Sequence, residues 1–429
     1  MDKKPHIVIV GAGFGGVYTA KHLVKELGDS ADITLINRDN YFLFTPLLHE
    51  VATGSLSHQS VVEPIPEIFR KTHVHFAQTE VHRIDFDNKS VEAKLRTFSY
   101  DYLVVASGAQ TNTYGIPGVK ENAFALKTLS DAVKLRTRII DSVKRASQTN
   151  DADMRKRLLS FIVVGGGPTG VELTAELSEF VVQVARSYYS NALATNEIFI
   201  TLIASGSAIA PQFSPQVRAK ALSVLKGKGI QVLLDTAVTE VTGDGVEISE
   251  MAKPGEPPRS RSITSGTIVW VAGIAATMPE MKGEAHMHKS GRLMVNEYLQ
   301  VDGHTDAFAL GDSAILAIKE GGMPVPQLAQ TATQEAKIVA QNISILINGG
   351  ADPKNAALVP FKLHLNGMLI SLGSGQASGD IFGMHPSGPL MWFLWRTVYL
   401  FKFISWRKRL SIVVEWTINL FSPRDISEV

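Results

Sequence analysis

The chain contains no cysteine, which excludes disulfides, thiolate metal sites and any dithiol or persulfide redox chemistry. Its 12 histidines are scattered, without H-E-x-x-H or comparable ligand spacing, so no metal is expected. Long hydrophobic runs are missing as well. No uncharged apolar stretch reaches the roughly 18 residues that a spanning helix needs. Charge of one sign is not in excess either: the formal net charge is +1, which gives no global field for a nucleic-acid partner. A first strand is expected by about residue 6, an arrangement expected to leave no room for a signal or transit peptide.

Against these absences stands a 429-residue chain, 45% hydrophobic, with length for about two to four domains. Two glycine-rich turns dominate it. Ile7–Val10 runs into Gly11-Ala12-Gly13-Phe14-Gly15-Gly16, and Phe161–Val164 runs into Gly165-Gly166-Gly167-Pro168-Thr169-Gly170. A G-x-G-x-x-G between a buried strand and a helix brings backbone close to a pyrophosphate at the helix N-terminus. Without a ligand, each would be only a tight strand–helix junction. Two in one chain, followed by Gly311-Asp312, point to two dinucleotides held for electron transfer. An aspartate after a strand and a glycine suits ribityl hydroxyls, and it suits a helix N-cap equally well.

The rest of the pattern repeats this unit. Helices are expected over 15–27 and 171–185, and strands over 32–37, 198–204 and 268–273. Segments 81–86, 89–95 and 100–106 resemble a small antiparallel meander that turns at Asp87-Asn88 and closes on Ser107-Gly108. Residues 148–153 and 251–261 read as loops. Strand 268–273 ends in Ala272-Gly273, as strand 100–106 ends in Ser107-Gly108. A duplicated dinucleotide-binding fold accounts for the recurrence, and no short-period repeat is present.

The paired units, their small-residue junctions and the Gly311-Asp312 turn resemble the two-dinucleotide-binding-domain flavoproteins, with a glutathione-reductase-like α/β fold of two Rossmann-like domains. Within them the chain is most similar to the type II NADH:quinone oxidoreductases. The similarity is carried by Tyr41–Leu48, Val62–Ile65, Val163–Glu172 and the Ala-Gln-x-Ala-x-Gln run at Ala329–Gln334. It implies an FAD-binding domain in two parts (1–115 and 285–360) around an NAD(P)H domain (116–284), with a helical membrane-anchoring region at 361–429.

It also implies roles. Gly11, Ala12, Gly13, Phe14, Gly15 and Gly16 would hold FAD, with Asn37 and Arg38 near its adenosine. Thr45, Val81, Ser107, Gly108, Asp312 and Ala329 would border the flavin. Gly165, Gly166, Gly167, Pro168, Thr169, Gly170, Ala272 and Gly273 would serve NADH. Glu172 would lie beside the reacting rings, and Gln330 and Gln334 would border the quinone. From the residues alone, Glu172 reads as a first-turn carboxylate favoured by the helix dipole. Gln327, Gln330, Gln334, Lys337 and Gln341 read equally as the solvated face of a helix.

Three departures from the family pattern stand out. The first nucleotide unit ends its second strand in Asn37 and not in an acid. The second unit ends in Ala204, so no carboxylate awaits a ribose 2′-hydroxyl; NADH is expected, with NADPH open. Asn366-Gly367 stands where many bacterial relatives carry a lysine.

From Pro389 tryptophans crowd beside Arg396, Lys402 and Arg407–Arg409, which suits an interfacial helix better than a span. The alternative is a helix that packs on the protein body. The expected activity is non-pumping hydride transfer from NADH to FAD and on to a membrane quinone. It would take place peripherally at the cytoplasmic face of the cell membrane, and a homodimer stays open. A soluble reductase serving a protein such as ferredoxin, and a redox sensor without turnover, are the competing readings.

Overall fold

The computed structural model describes residues 4–251, 258–316, 325–349, 357–365 and 367–427. The chain forms two compact units. One comprises Met1–Leu43, Val62–Gln110 and Ile274–Leu365; the other comprises Phe44–Val61, Thr111–Gly273 and Asn366–Val429.

The first unit is built on a five-stranded parallel sheet. Its order is Ala307–Ala309, Tyr102–Val105, His6–Val10, Asp32–Asn37, Val74–Gln78. Ile7, Val8 and Ile9 have no exposed surface, as continuous apolar strands require when both faces of a parallel sheet are covered. Helix Phe14–Leu27 follows the first strand through the glycine turn and packs against helix Ala329–Asn348.

A smaller antiparallel meander joins Val81–Asp85, Ser90–Ala93 and Thr97–Ser99, and its turn is held by Asn88 N–H donating to Asp85 Oδ1 at 2.9 Å. Residues 102–105 do not form the meander's last strand; they insert into the parallel sheet between Ala307–Ala309 and His6–Val10. Leu103, Val104 and Val105 are apolar on both faces and fully buried, a run the half-exposed meander cannot use.

The second unit repeats the plan with sheet order Phe124–Ala125, Thr267–Trp270, Ser160–Val164, Phe199–Ile203, Gln231–Leu233. Its core gathers Ile162, Val164, Ile203 and Trp270 with Val238 and Ile248 of an antiparallel three-stranded sheet. That sheet includes Arg259–Thr264, so the expected loop at 251–261 ends in a strand, and residues 252–257 lie outside the described residues. Asn366 lies outside them too.

Helix Pro168–Tyr188 follows the second glycine turn and starts early enough to place Glu172 beyond its first turn. The dipole reading of that carboxylate therefore gives way to a buried environment. The same unit carries a hairpin sheet (Met368–Ser371, Ala377–Asp380, Ser387–Gly388) that leads into helices Pro389–Lys402 and Trp406–Phe421. Among the described residues no helix is long and apolar enough to cross a membrane.

Each tail helix divides its apolar residues between two faces. Trp392, Trp395, Ile412 and Trp416 are buried, while Leu390, Phe393, Phe401, Trp406, Leu410 and Phe421 are exposed. Phe403 stacks on Phe44 with ring centres 4.2 Å apart.

Candidate functional site

In the first unit the glycine turn sits at the carboxyl edge of the sheet. Gly11 adopts φ +99°, and a β-carbon there would strike the Ala106 carbonyl; at Gly16 one would strike the Gly11 carbonyl. At Gly13 a β-carbon would meet nothing within 4 Å. Helix and strand are thus pressed together at two glycines and open at the third, an arrangement that lets a phosphate approach backbone at a helix N-terminus.

Asn37 closes the turn. Its Oδ1 accepts from Ala12 N–H at 3.0 Å, and its Nδ2 donates to Asp39 O at 2.8 Å. The amide that stands in the ribose position is committed to backbone. Arg38 is exposed and lies 3.7 Å from Asp39. Phe14 meets Phe42 edge-on at 5.0 Å.

Three further chain segments end at the same edge. Gly108 N–H donates to Ser313 Oγ at 2.8 Å, and Ser107 Oγ donates to Thr277 O. Gly311, at φ +66°, donates its N–H to Glu335 Oε2 at 2.7 Å. Glu335 is buried, which pushes its carboxyl up to about 7, and the Gly311 amide opposes that rise. Asp312 follows in the short turn Gly311–Ser313, and Ala329 opens the helix beyond. Val81 begins the meander of this unit.

Gln334 is a clamp. Its Nε2 donates to His364 O at 2.8 Å, and its Oε1 accepts from His364 N–H at 3.1 Å. The expected solvated stripe holds only in part, because Gln330, Gln334 and Gln341 are half-buried and Lys337 alone among the described stripe beyond Gln327 is exposed.

The second unit repeats the cradle. Gly165 adopts φ +129°, a β-carbon at Gly170 would strike the Gly165 carbonyl, and Gly167 is open. Pro168 occupies the first turn, where its missing N–H costs nothing. Ala204 is buried against Gly166, whose β-carbon would lie 2.6 Å from the Ala204 methyl.

The same unit contains a constellation of charge that the sequence reading did not find. Glu172, Glu176 and Glu179 repeat at i, i+4 and i+7 along one helix face. Glu172 is 7% exposed, and its Oε1 accepts from Ser371 N–H at 3.0 Å. Burial pushes its carboxyl up to about 8; the Ser371 amide opposes the rise, and the charges of Glu50 and Glu176 add to it.

Glu50 is equally buried and accepts from Trp416 Nε1 at 2.6 Å; burial drives its carboxyl upward against the pull of Arg396. Arg396 stacks on Trp392 and Trp416, 3.7 and 4.6 Å from the ring centres, so it faces inward and not toward a headgroup layer. Arg424 donates to Glu176 at 2.8 Å and to Thr53 O at 3.1 Å. His49 is buried neutral, its imidazole lowered to about 4 by desolvation. Thr45 opens the turn just ahead of this pair.

The signal that could have revealed the cluster is His49-Glu50 inside an apolar run, with acidic residues at helical spacing in a helix where Val171, Leu173, Ala175, Leu177, Phe180 and Val181 are apolar.

Comparison with known proteins agrees with this architecture. Residues 5–336 match the pyridine nucleotide-disulphide oxidoreductase family model, and residues 365–425 match the NDH2 C-terminal domain. The type II NADH:quinone oxidoreductase Ndh of Mycobacterium tuberculosis is 31% identical over 98% of this chain and 89% of its own length. A probable mitochondrial NADH-ubiquinone oxidoreductase of Schizosaccharomyces pombe is 31% identical over 99% of this chain and 84% of its own. Among solved structures, NDH2 from Plasmodium falciparum in complex with NADH superposes with a TM-score of 0.89 at 24% identity, covering 99% of this chain and all of that one. The sulfide:quinone oxidoreductase of Aquifex aeolicus shares the fold more distantly, with a TM-score of 0.72 at 20% identity over 97% of this chain and 95% of its own. The present chain has no cysteine.

Proposed function

The chain belongs to the type II NADH:quinone oxidoreductases, and on that premise we propose that it oxidises NADH with a membrane quinone through bound FAD. The observation that carries the reading is the pair of glycine cradles, each closed by backbone at two glycines and open at a third. In this reading the FAD-binding domain comprises 1–115 and 285–360, the nicotinamide nucleotide occupies 116–284, and 361–429 meets the membrane. When bound, the flavin supplies the acceptor for a hydride and the donor of two electrons to the quinone.

The chain's own residues bind, orient and hold protons. Gly11–Gly16 cradle the FAD pyrophosphate, while Ser107, Gly108 and Asp312, with Thr45 and Val81, border the flavin. Glu335 fixes the Gly311 turn that presents Asp312. Gly165–Gly170, Ala272 and Gly273 receive NADH. NADH is preferred, and the ratio of kcat/KM for NADH and NADPH tests that preference.

Glu172 is the acid of the site. Burial keeps its proton on at neutral pH, so it can meet a reacting group without adding a negative charge. Gln330 and Gln334 border the quinone, Gln334 being fixed by His364.

The exposed apolar residues of the two tail helices lie in the membrane interface at the cytoplasmic face, together with Phe382 and Met384 at the tip of the preceding hairpin. Turnover of NADH with a short-chain quinone and with ferredoxin tests the reading. Rapid quinone reduction is expected. Activity with ferredoxin alone would move the protein to the soluble reductases, and bound FAD without turnover would make it a sensor.

A further inference from the structure

Among the described residues two exposed aromatic rings stand on left-handed backbone, Phe382 at the hairpin tip and Tyr114 beside the second glycine cradle. Tyr114 has φ +52°, a conformation that a bulky L-residue rarely adopts, yet its side chain is 63% exposed. A core residue would hide this ring, and a surface turn would place asparagine or glycine here.

The turn is held firmly in place. Tyr114 N–H donates to Asn112 Oδ1 at 2.9 Å, Asn112 N–H donates to Gly273 O at 3.3 Å, and Trp270 Nε1 donates to Asn112 O at 2.9 Å. The phenol lies over Gly273, itself at φ +74°, where any β-carbon would collide with the Tyr114 hydroxyl. A strained backbone that other groups over-determine is a feature found at binding sites.

The position of Gly273 gives the ring its meaning. It follows strand Thr267–Trp270, on the opposite side of the central strand Ser160–Val164 from Phe199–Ile203. The neighbouring residue closes on the cradle: a β-carbon at Gly165 would lie 2.8 Å from Ala272 N. In a dinucleotide fold the strand after the glycine helix meets the adenosine ribose, and the pyrophosphate sits at the glycine turn. The other half of the dinucleotide therefore extends toward Gly273.

We propose that Tyr114 is a binding residue for the nicotinamide riboside half of NADH, presenting its ring face to the nicotinamide. The inference rests on the reading of Gly165–Gly170 as the NADH cradle and deepens it. An aromatic face also suits the oxidised, cationic ring. The strained turn and the side-chain-free Gly273 hold the ring ready before the nucleotide arrives, which reduces the cost of ordering it.

Calorimetric binding of NAD+ and of ADP-ribose to the FAD-loaded protein tests this without turnover. Tyr114→Asn removes the ring while suiting the left-handed backbone, and Tyr114→Phe keeps the ring. Tyr114→Asn is expected to raise the Kd for NAD+ about three- to tenfold, the effect of losing one aromatic contact, and to leave ADP-ribose unchanged. Tyr114→Phe is expected to bind both like the parent. The proposal is overturned if Tyr114→Asn binds NAD+ normally, if it weakens both ligands equally, or if Tyr114→Phe fails as Tyr114→Asn does. Should the unsubstituted protein bind neither ligand, the NADH cradle itself would fall, a result distinct from all three.

Discussion

Replacing Glu172 by glutamine isolates what its buried proton does to the fold. The carboxyl is 7% exposed, accepts one backbone N–H, and is raised from 4.5 to about 8. Such a rise corresponds to a difference of about 5 kcal/mol between its protonated and ionised states in the fold. The sign follows from proton uptake. Below pH 4.5 the carboxyl is neutral in folded and unfolded chains alike and contributes no pH dependence. Between 4.5 and 8 the unfolded chain releases a proton that the folded chain keeps, so stability falls as pH rises. Above 8 both forms are ionised and the loss is complete.

Glutamine can still accept from Ser371 through its carbonyl oxygen and never ionises. Glu172→Gln should therefore match the parent near pH 4.5 and gain on it steadily, approaching about 5 kcal/mol of relative stability above pH 8. Urea unfolding of the two proteins, followed by tryptophan fluorescence at pH 5, 7 and 9, measures that difference. A constant offset at all three pH values would refute the reasoning, and a growing disadvantage of the variant would refute it more strongly. Flavin reduction by NADH should be slowed in the same variant while FAD remains bound.

Other substitutions test other parts of the account. Gly16→Ala places a β-carbon against the Gly11 carbonyl and should abolish FAD retention, while Gly170→Ala should keep the yellow colour and lose NAD+ binding; absorbance and calorimetry distinguish them. Arg424→Ala leaves Glu176 buried without its partner and should cost about 3–5 kcal/mol in unfolding experiments. Joint Phe393→Glu and Phe401→Glu changes should release the protein from anionic liposomes in a flotation assay without altering its melting temperature, since both side chains are exposed. Deleting 389–429 is a poorer test, because it would also strip Trp416 from Glu50 and Arg424 from Glu176.

The parts of the molecule that were legible in the sequence are those where local chemistry decides structure. A glycine turn after an apolar strand needs only its own residues, so both cradles and their helices were readable from short windows. Residues 102–105 follow a meander in sequence, and that proximity hides what their unbroken apolar run marks, a strand covered on both faces of the parallel sheet. The carboxylate cluster was illegible for a different reason. Glu50 and Trp416 are 366 positions apart, and Glu176 and Arg424 are 248 apart, distances across which no periodicity reports. Arg396 illustrates the same limit: its neighbours in sequence suggested a headgroup contact, and two indole rings instead hold it inward. Tyr114 betrayed nothing, since backbone strain has no signature in a tyrosine.

The central claim is that this chain carries electrons from NADH through a flavin to a quinone. Anaerobic titration of the purified yellow protein tests it most directly. Stoichiometric NADH should bleach the flavin absorbance, and a short-chain quinone should then restore it. A flavin that NADH leaves oxidised, or one that quinone leaves reduced, would contradict the account.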